Sequence, residues 1–353
     1  MTGGGTGGHV FPALAVARVL RERGHEILFI GTREAIESRL VPEAGHNIEF
    51  IRSGGLNRVS LRQQAQTALM LPGSIAAAAA ILRRFRPDAV FGMGGYVAGP
   101  VMAAAVLNRF PLVIMEPNAV PGFATRRVAN RVYRALLGFE STRRFFRESR
   151  AEVTGVPVRR EFFEVRRKNG GPFTLLVTGG SRGARSLNRA SRESWPLFRD
   201  SNSPVRFLHQ SGAPEHEQLA DAFRETGMLG EVVPFIEDMP AAFSEADLVV
   251  ARAGAGAVNE IAAAGMPSIL VPLPFAADDH QRKNAEALVE RRAAEMVRDA
   301  ELTGTRLYRE VEALRSEPAL LERMRERVRQ FAKPGAAERA AEVLEEAANS
   351  GKK

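Results

Sequence analysis

Two glycine-rich turns, nearly half the chain apart, are the parts of this sequence best suited to chemistry with anions. The first spans Gly3–His9 and the second spans Gly179–Asn188. In both, glycine lets backbone N–H groups approach an anion, and the helix that follows directs its positive end at the same place. Two such turns predict two nucleotide-type halves that face one another across a cleft. That arrangement suits the transfer of a group from a diphosphate donor to a second substrate.

His9 and Glu116 are the candidates for proton transfer. His9 follows the last glycine of the first turn, at a predicted helix N-terminus. The helix dipole there disfavours the charged imidazole, which leaves a neutral base near neutral pH. Glu116 is the competing carboxylate. Since a lone histidine is more often a packed or capping residue, the structural and catalytic interpretations of His9 both stay open.

Short apolar segments alternate with amphipathic helical segments along the chain. The segments predicted as strands are 26–30, 48–51, 89–92, 112–115, 132–137, 173–177, 205–208, 232–235, 248–251 and 268–271. The spacing of apolar residues predicts helices over 10–23 and 255–264. This alternation predicts an α/β protein with doubly wound parallel sheets.

The two series of strands predict two domains, at residues 1–160 and 161–353. The polar, glycine-bearing stretch 166–172 is predicted to be a linker. The charged tail over 310–348 is predicted to be helical, to lie outside the sheets, and to be a candidate for packing back onto the first domain. One element is missing, because only Met1 and Thr2 precede the first turn. A nucleotide fold has a central strand there, so we expect that about half a dozen apolar residues are absent.

Composition and charge restrict the function classes. The chain has 353 residues and no cysteine, which excludes disulfides, thiol nucleophiles and cysteine-ligated zinc. No signal peptide or membrane-length apolar run is visible, so we expect a cytoplasmic protein. Residues 1–150 hold 20 Arg, no Lys and 10 Asp or Glu, so they carry the whole net charge of +8. Nucleic acid is disfavoured as a partner, because no binding motif or interleaved aromatics accompany the arginines.

A segment of the basic half, from Arg58 to Arg86, combines apolar residues with arginines. One interpretation is a core-facing helix with a solvated basic end. The other is a patch that lies on an anionic membrane surface. General solubility also accounts for the charge, so the sequence leaves these alternatives open.

Five motifs, in order along the whole chain, resemble one family. They are Gly3–His9, Gly92–Tyr96, Glu116–Asn118, Gly179–Asn188 and Glu260–Gly265. The family is that of the undecaprenyldiphospho-muramoylpentapeptide β-N-acetylglucosaminyltransferases. The resemblance implies the GT-B fold and an inverting transfer of N-acetylglucosamine from UDP-N-acetylglucosamine to the muramyl 4-hydroxyl of lipid I, which gives lipid II. It also implies a peripheral location at the anionic cytoplasmic face of the bacterial inner membrane. The family's usual Glu-Gln-Asn is Glu116-Pro117-Asn118 here.

The resemblance also implies roles for individual residues. Donor contacts are implied for Thr6, Gly7, Gly8, Asn118, Arg159, Ser181, Ile236, Ala255, Gly256, Ala257, Val258, Asn259, Glu260, Gln281 and Asn284. Acceptor contacts are implied for Gly94, Gly95 and Tyr96. Within the donor set, Ser181 is expected at a phosphate, Ile236 at uracil and Glu260 at the ribose hydroxyls, although a glutamate in a first helical turn also suits the dipole. The chain has no D-x-D motif, and neither a metal nor a cofactor is implied.

Other classes remain as alternatives. A different GT-B enzyme comes first, such as a UDP-sugar glycolipid glycosyltransferase or a UDP-N-acetylglucosamine epimerase. A nicotinamide oxidoreductase is suggested by Gly3-x-Gly5-x-x-Gly8, which fits the dinucleotide fingerprint. Against it, Arg33 stands where that class places an acidic residue on the ribose. A membrane-binding module without catalysis would not need Glu260 or Gln281.

Overall fold

The computed structural model of the protein describes residues 1–5, 7–54, 61–201 and 204–351. The chain forms two compact units, one of Met1–Val158 with Lys333–Lys353 and one of Arg159–Ala332. The division falls two residues before the boundary predicted from the sequence. In both units the paired strands that the structure describes are parallel.

The first unit alternates strands and helices. Its elements are α1 (Gly7–Glu22), β1 (Leu28–Gly31), α2 (Glu37–Glu43), β2 (Asn47–Phe50), α3 (Leu61–Phe85), β3 (Val90–Gly92), α4 (Ala98–Leu107), β4 (Leu112–Glu116), α5 (Phe123–Val128), β5 (Arg134–Leu137) and β6 (Ala151–Val153). Strands β1 and β2 pair with each other, and β3, β4, β5 and β6 form a sheet in that order. All five residues of β4 are buried. Such continuous apolar runs are typical of parallel strands covered on both faces.

Met1 and Thr2 lie between these two groups of strands. The Met1 carbonyl oxygen accepts from the Ile30 N–H at 2.9 Å, and the Thr2 N–H donates to the Phe91 carbonyl at 2.8 Å. The Met93 N–H donates to the Thr2 carbonyl, also at 2.8 Å. These two residues therefore occupy part of the central position that the sequence analysis expects to be vacant, and they bond to β1 and β3 at once.

The second unit has one six-stranded sheet. Its elements are α6 (Arg160–Phe163), β7 (Phe173–Thr178), α7 (Arg185–Asp200), β8 (Val205–Gln210), α8 (His216–Glu225), β9 (Gly230–Val233), α9 (Met239–Glu245), β10 (Leu248–Ala251), α10 (Ala255–Ala264), β11 (Ser268–Leu270), α11 (His280–Val289), β12 (Glu295–Met296), α12 (Gly304–Arg315) and α13 (Pro318–Arg329). The strand order is β12-β11-β10-β7-β8-β9. The order reverses beside β7, and open α/β sheets bind ligands at such a point, outside the carboxyl ends of the strands.

The chain ends with α14 (Ala336–Ser350), which belongs to the first unit and packs on α1. Short 3-10 helices lie at Glu140–Phe145, Glu148–Arg150, Ala213–Glu215, Ala277–Asp279 and Asp299–Glu301. In the described part of the chain, no helix is both long and apolar enough to cross a membrane.

The ten segments predicted as strands all coincide with strands, and two short strands were missed. These are β6 and β12, of three and two residues, and each contains a glutamate, so neither gives an apolar run. The stretch 166–172, predicted as a linker, lies inside the second unit. The Lys168 ammonium holds it there, since it donates to the Pro172 carbonyl at 2.6 Å and pairs with buried Asp247 at 2.9 Å.

Candidate active site

The first glycine-rich turn connects the Met1–Thr2 segment to α1. Gly5 has φ +86°, a left-handed conformation that favours glycine, and α1 begins at Gly7. Thr6 lies outside the described residues. Gly7, Gly8 and His9 form the first turn of α1, which contains no acidic residue. The first N–H groups of a helix have no partner inside it, so this turn is suited to bind an anion.

Glu37 holds this turn in place, and the sequence analysis missed it. Its carboxylate is 1% exposed. It accepts from the Gly5 N–H at 3.0 Å, from the Thr32 N–H at 3.1 Å and from the Thr32 hydroxyl at 2.9 Å. One buried carboxylate thus joins the first turn to the end of β1. A glutamate at a helix start also suits the helix dipole, so no sequence pattern marks this role.

A second tight turn, at Gly94 and Gly95, interlocks with the first. Both residues have positive φ, at +81° and +82°. A Cβ atom on Gly95 would lie 2.4 Å from the Gly4 carbonyl oxygen, and one on Gly5 would lie 2.8 Å from Cε1 of Tyr96. Only glycine allows this approach, so the structure brings together the predicted acceptor residues and the first glycine-rich turn.

His9 and Thr125 flank the Gly94 backbone. A Cβ atom on Gly94 would lie 3.5 Å from Nε2 of His9 and 4.0 Å from the Thr125 hydroxyl oxygen. The His9 side chain is half-buried. The imidazole therefore lies beside the interlocked turns.

Glu116, the competing base, is engaged by its own loop. It is 2% exposed, and it accepts from the Asn118 N–H at 3.1 Å, the Asn118 side-chain amide at 3.0 Å and the Gly122 N–H at 3.2 Å. Thr125 adds a side-chain hydrogen bond. Burial raises the pKa of Glu116 to about 7, against the opposing effect of these bonds. Pro117 removes none of the N–H donors, which explains how the loop accommodates the departure from the family pattern.

The second glycine-rich turn follows β7 and precedes α7. Gly180 and Gly183 have φ +84° and +71°, and a Cβ atom on Gly183 would lie 1.8 Å from the Ser211 carbonyl oxygen. Ser181 is exposed at the outer edge of the turn. The close approach of Gly183 to Ser211 makes glycine necessary at position 183.

The second unit has another helix start of this kind, at the N-terminus of α10, in addition to the start of α7. Ala255, Gly256 and Ala257 are half-buried in its first turn, which has no acidic residue. Val258 is buried and packs in the core. Asn259 is also buried, and its side-chain amide donates to the Ala255 carbonyl at 2.7 Å. The side chains of Val258 and Asn259 are therefore buried and make their contacts within the protein.

Glu260, on the same helix, faces Arg159. Burial raises the pKa of Glu260 to about 7, and the positive charge of Arg159 acts in the opposite direction. The guanidinium of Arg159 also stacks over the Phe162 ring, at 5.0 Å from its centroid. This places a carboxylate and a cation, both from the predicted donor set, close to each other. Glu260 is the sixth residue of α10, so the expectation that it lies in a first helical turn is wrong.

Gln281 and Asn284 lie on α11 and have different roles. The Gln281 carbonyl oxygen accepts from the Leu273 N–H at 2.9 Å, and its amide nitrogen would be 4.0 Å from a Cβ atom on Gly254. Gln281 is thus oriented toward the start of α10. Asn284 is fully buried and donates to the Ala253 carbonyl at 3.1 Å, so it supports the backbone of that loop from within.

Ile236 follows β9, and its N–H donates to the side chain of Gln210 at 2.9 Å. The backbone carbonyl oxygen of Ile236 is the polar group with which this residue can bind a nucleobase. Among the described residues, no group of three or more His, Asp or Glu side chains is placed to hold a metal ion.

Comparison with known proteins assigns the family. Residues 1–137 match the glycosyltransferase family 28 N-terminal domain, and residues 174–340 match the glycosyltransferase family 28 C-terminal domain. A UDP-N-acetylglucosamine–N-acetylmuramyl-(pentapeptide) pyrophosphoryl-undecaprenol N-acetylglucosamine transferase from Solibacter usitatus is 55% identical over 349 residues, which cover 99% of this chain and 95% of the relative. The transferase of the same name from Myxococcus xanthus is 40% identical, over 97% of this chain and 91% of the relative.

A solved structure agrees with these relatives. The crystal structure of Acinetobacter baumannii MurG matches with a TM-score of 0.83 and 32% identity, over 98% of both chains. These matches confirm the resemblance and the fold class predicted from the sequence. The chain therefore belongs to glycosyltransferase family 28, and within it to the UDP-N-acetylglucosamine–N-acetylmuramyl-(pentapeptide) pyrophosphoryl-undecaprenol N-acetylglucosamine transferases.

Proposed function

We infer that the protein transfers N-acetylglucosamine from UDP-N-acetylglucosamine to the muramyl 4-hydroxyl of lipid I, with inversion at the anomeric carbon, and so forms lipid II for peptidoglycan synthesis. Identity of 55% over nearly the whole chain to a transferase of this name supports the reaction. The observation in the structure that carries it is the proximity of Glu260 to Arg159 in a unit where two helices, α7 and α10, begin after the neighbouring strands β7 and β10. This combination fits a nucleoside diphosphate, whose ribose needs an acceptor and whose phosphates need positive charge.

The second unit supplies the donor contacts. Ser181 and the N–H groups at the starts of α7 and α10 bind the diphosphate, and Arg159 offsets its charge. Glu260 accepts from the ribose hydroxyls, and Ile236 contacts uracil through its backbone carbonyl and apolar side chain. Gln281 reaches the hydroxyls of the sugar. Asn259 and Asn284 act through the backbone that they hold, since both side chains are buried and bonded within the protein.

The first unit supplies the acceptor contacts and the base. Gly94, Gly95 and Tyr96 receive the acceptor, and the start of α1 faces phosphate charge. His9 takes the proton of the 4-hydroxyl as the oxygen attacks the anomeric carbon and the bond to UDP breaks. The charge on the departing UDP is stabilised by helix N-termini and backbone N–H groups. Glu116 is better suited to shape the loop than to act as the base, because its oxygens already accept from Asn118 and Gly122.

The first unit also supplies the surface that we propose docks on an anionic membrane. On α3, Leu69 and Leu71 are exposed, at 82% and 36%, and Arg83 is exposed near the helix end. Arg58 of the same sequence segment lies outside the described residues. Ile75 is half-buried and packs against the core of the unit, so it is a poor candidate for insertion into lipid.

The reaction is tested by measuring UDP release from UDP-N-acetylglucosamine with and without lipid I, together with the mass of the lipid product. We expect release that depends on lipid I, and a product heavier by one N-acetylglucosamine residue. An epimerase would convert the donor without lipid I, and a different glycolipid transferase would ignore lipid I. Either result contradicts the proposal.

A further inference from the structure

Gln210, the last residue of β8, joins three segments at the carboxyl edge of the second sheet. Its side chain is buried, with 1% exposure. The amide nitrogen donates to the Gly180 carbonyl at 2.8 Å and to the Thr178 hydroxyl at 3.2 Å. The carbonyl oxygen accepts from the Ile236 N–H at 2.9 Å. One side chain thus contacts the end of β7, the second glycine-rich turn and the segment after β9.

The direction of the amide is determined by these partners. Its nitrogen faces the Gly180 carbonyl, which only accepts, and its oxygen faces the Ile236 N–H, which only donates, so a reversed amide would lose both of these bonds. The Thr178 hydroxyl also accepts from the Gly180 N–H at 3.2 Å. The glycine-rich turn is therefore held at both polar groups of Gly180, and the hydrogen bonds extend from it through Gln210 to Ile236.

Both ends of this connection adjoin proposed donor contacts. Gly180 precedes Ser181, which we assign to the phosphate, and Ile236 is assigned to uracil. The neighbouring His209 side chain lies on the opposite face of β8 and bonds to Asn188 instead. If Gln210 only filled the core, its hydrogen-bond partners would not need to lie beside the proposed phosphate contact and the proposed uracil contact.

We propose that Gln210 is a positioning residue that sets the spacing between the phosphate-binding turn and the uracil-binding segment, and that it thereby determines the enzyme's preference for a uridine diphosphate as one unit. The proposal rests on the proposed donor site. Uridine alone or pyrophosphate alone needs only one end of the connection. UDP needs both ends at the correct separation, so UDP is the ligand that Gln210 affects.

The test compares Gln210→Met and Gln210→Glu with the wild-type protein by calorimetry, using UDP, uridine and inorganic pyrophosphate as separate ligands. We expect the Kd for UDP to rise about tenfold in Gln210→Met, while the Kd for each fragment changes by less than about twofold. Thr174→Val is the matched control, because Thr174 is fully buried on β7 at the end of the strand far from the turn. It should leave all three affinities unchanged.

The Gln210→Glu variant adds a second measurement, the pH dependence of UDP affinity. A purely structural role of Gln210 would give no such dependence. An ionised glutamate can accept from Ile236 but cannot donate to Gly180, whereas a protonated one can do both. We therefore expect UDP affinity in this variant to recover as the pH falls, relative to wild type. An equal loss for UDP and uridine, a flat pH response, or the same loss in Thr174→Val would overturn the proposal. Failure of wild type to bind UDP would instead overturn the donor site itself, and this inference with it.

Discussion

Glu116 is expected to make the first unit less stable as the pH rises, and replacing it with glutamine should remove this effect. Burial raises the pKa of its carboxyl from 4.5 to about 7 in the folded protein. The folded chain therefore keeps the proton over a pH range in which the unfolded chain has lost it. The stabilisation is fully present below about pH 4.5, and it is lost as the pH rises to about 7.

The magnitude follows from the size of the shift. A pKa difference of this size corresponds to about 3 kcal/mol of folding free energy across the pH window. Glutamine at 116 carries no charge, so it has no such dependence. It loses the acceptor for the Gly122 N–H, which costs about 1–3 kcal/mol at every pH. Glu116→Gln is thus expected to be less stable than wild type at pH 5, and as stable as wild type or up to about 2 kcal/mol more stable at pH 8.

Amide hydrogen exchange of peptides that contain β4 measures this locally, after correction for the intrinsic exchange rate. Glu152→Gln is the control, because the Arg339 hydrogen bond lowers the pKa of Glu152 and its contribution has the opposite sign. Glu152→Gln should keep the decline in the stability of the first unit above pH 5. Parallel pH profiles for wild type and Glu116→Gln would show that Glu116 does not titrate in this window, and the reasoning from burial would be wrong.

Three further predictions concern the site and the membrane surface. His9→Ala should lower turnover about a hundredfold with little change in UDP affinity, and near-normal turnover with lipid I would exclude it as the base. Glu260→Ala should weaken UDP binding by about 1–3 kcal/mol in calorimetry. Because we propose that the Glu260 carboxylate accepts from the ribose, and burial raises its pKa to about 7, wild-type UDP affinity should fall as the pH drops through that value, and Glu260→Gln should flatten the curve. In vesicle co-sedimentation, binding of the protein should require anionic lipid and should weaken with added salt and in Arg83→Glu and Arg86→Glu. Leu69→Ser should remove any binding that resists salt. Equal binding to neutral and anionic vesicles would contradict docking.

The fold could be predicted from the sequence because apolar runs are sufficient to locate parallel strands. The ten predicted strands are long enough, or apolar enough, to stand out from the helices between them. β6 and β12 did not, because pairing with a neighbouring strand, and not their own composition, makes them strands. The return of α14 to the first unit depends on alanine-rich packing against α1, which a charged helical pattern does not specify.

The candidate site could be predicted only in part, because motifs identify turns and not the side chains that hold them. His9, Ser181 and Glu260 are motif residues, and their roles stay predictions. Asn284 was also found, but the structure assigns it to a buried backbone contact that the sequence could not distinguish from a sugar contact. The direction of a side chain depends on which helix covers the loop, and that is settled only by tertiary packing.

One positional rule relates several of the residues that hold the turns of the candidate site. In parallel sheets the ligand site lies beyond the carboxyl ends of the strands, so a polar residue at the end of an apolar strand is already close to it. Thr32, Glu116, Thr178 and Gln210 all stand at or just after such ends. Glu116, Thr178 and Gln210 are bonded to a turn of the candidate site or to its loop, and Thr32 is bonded to Glu37, which accepts from the first turn. Burial at these positions is tolerated because the turns supply N–H and carbonyl partners, and the same bonds hold the turns rigid enough to bind a diphosphate.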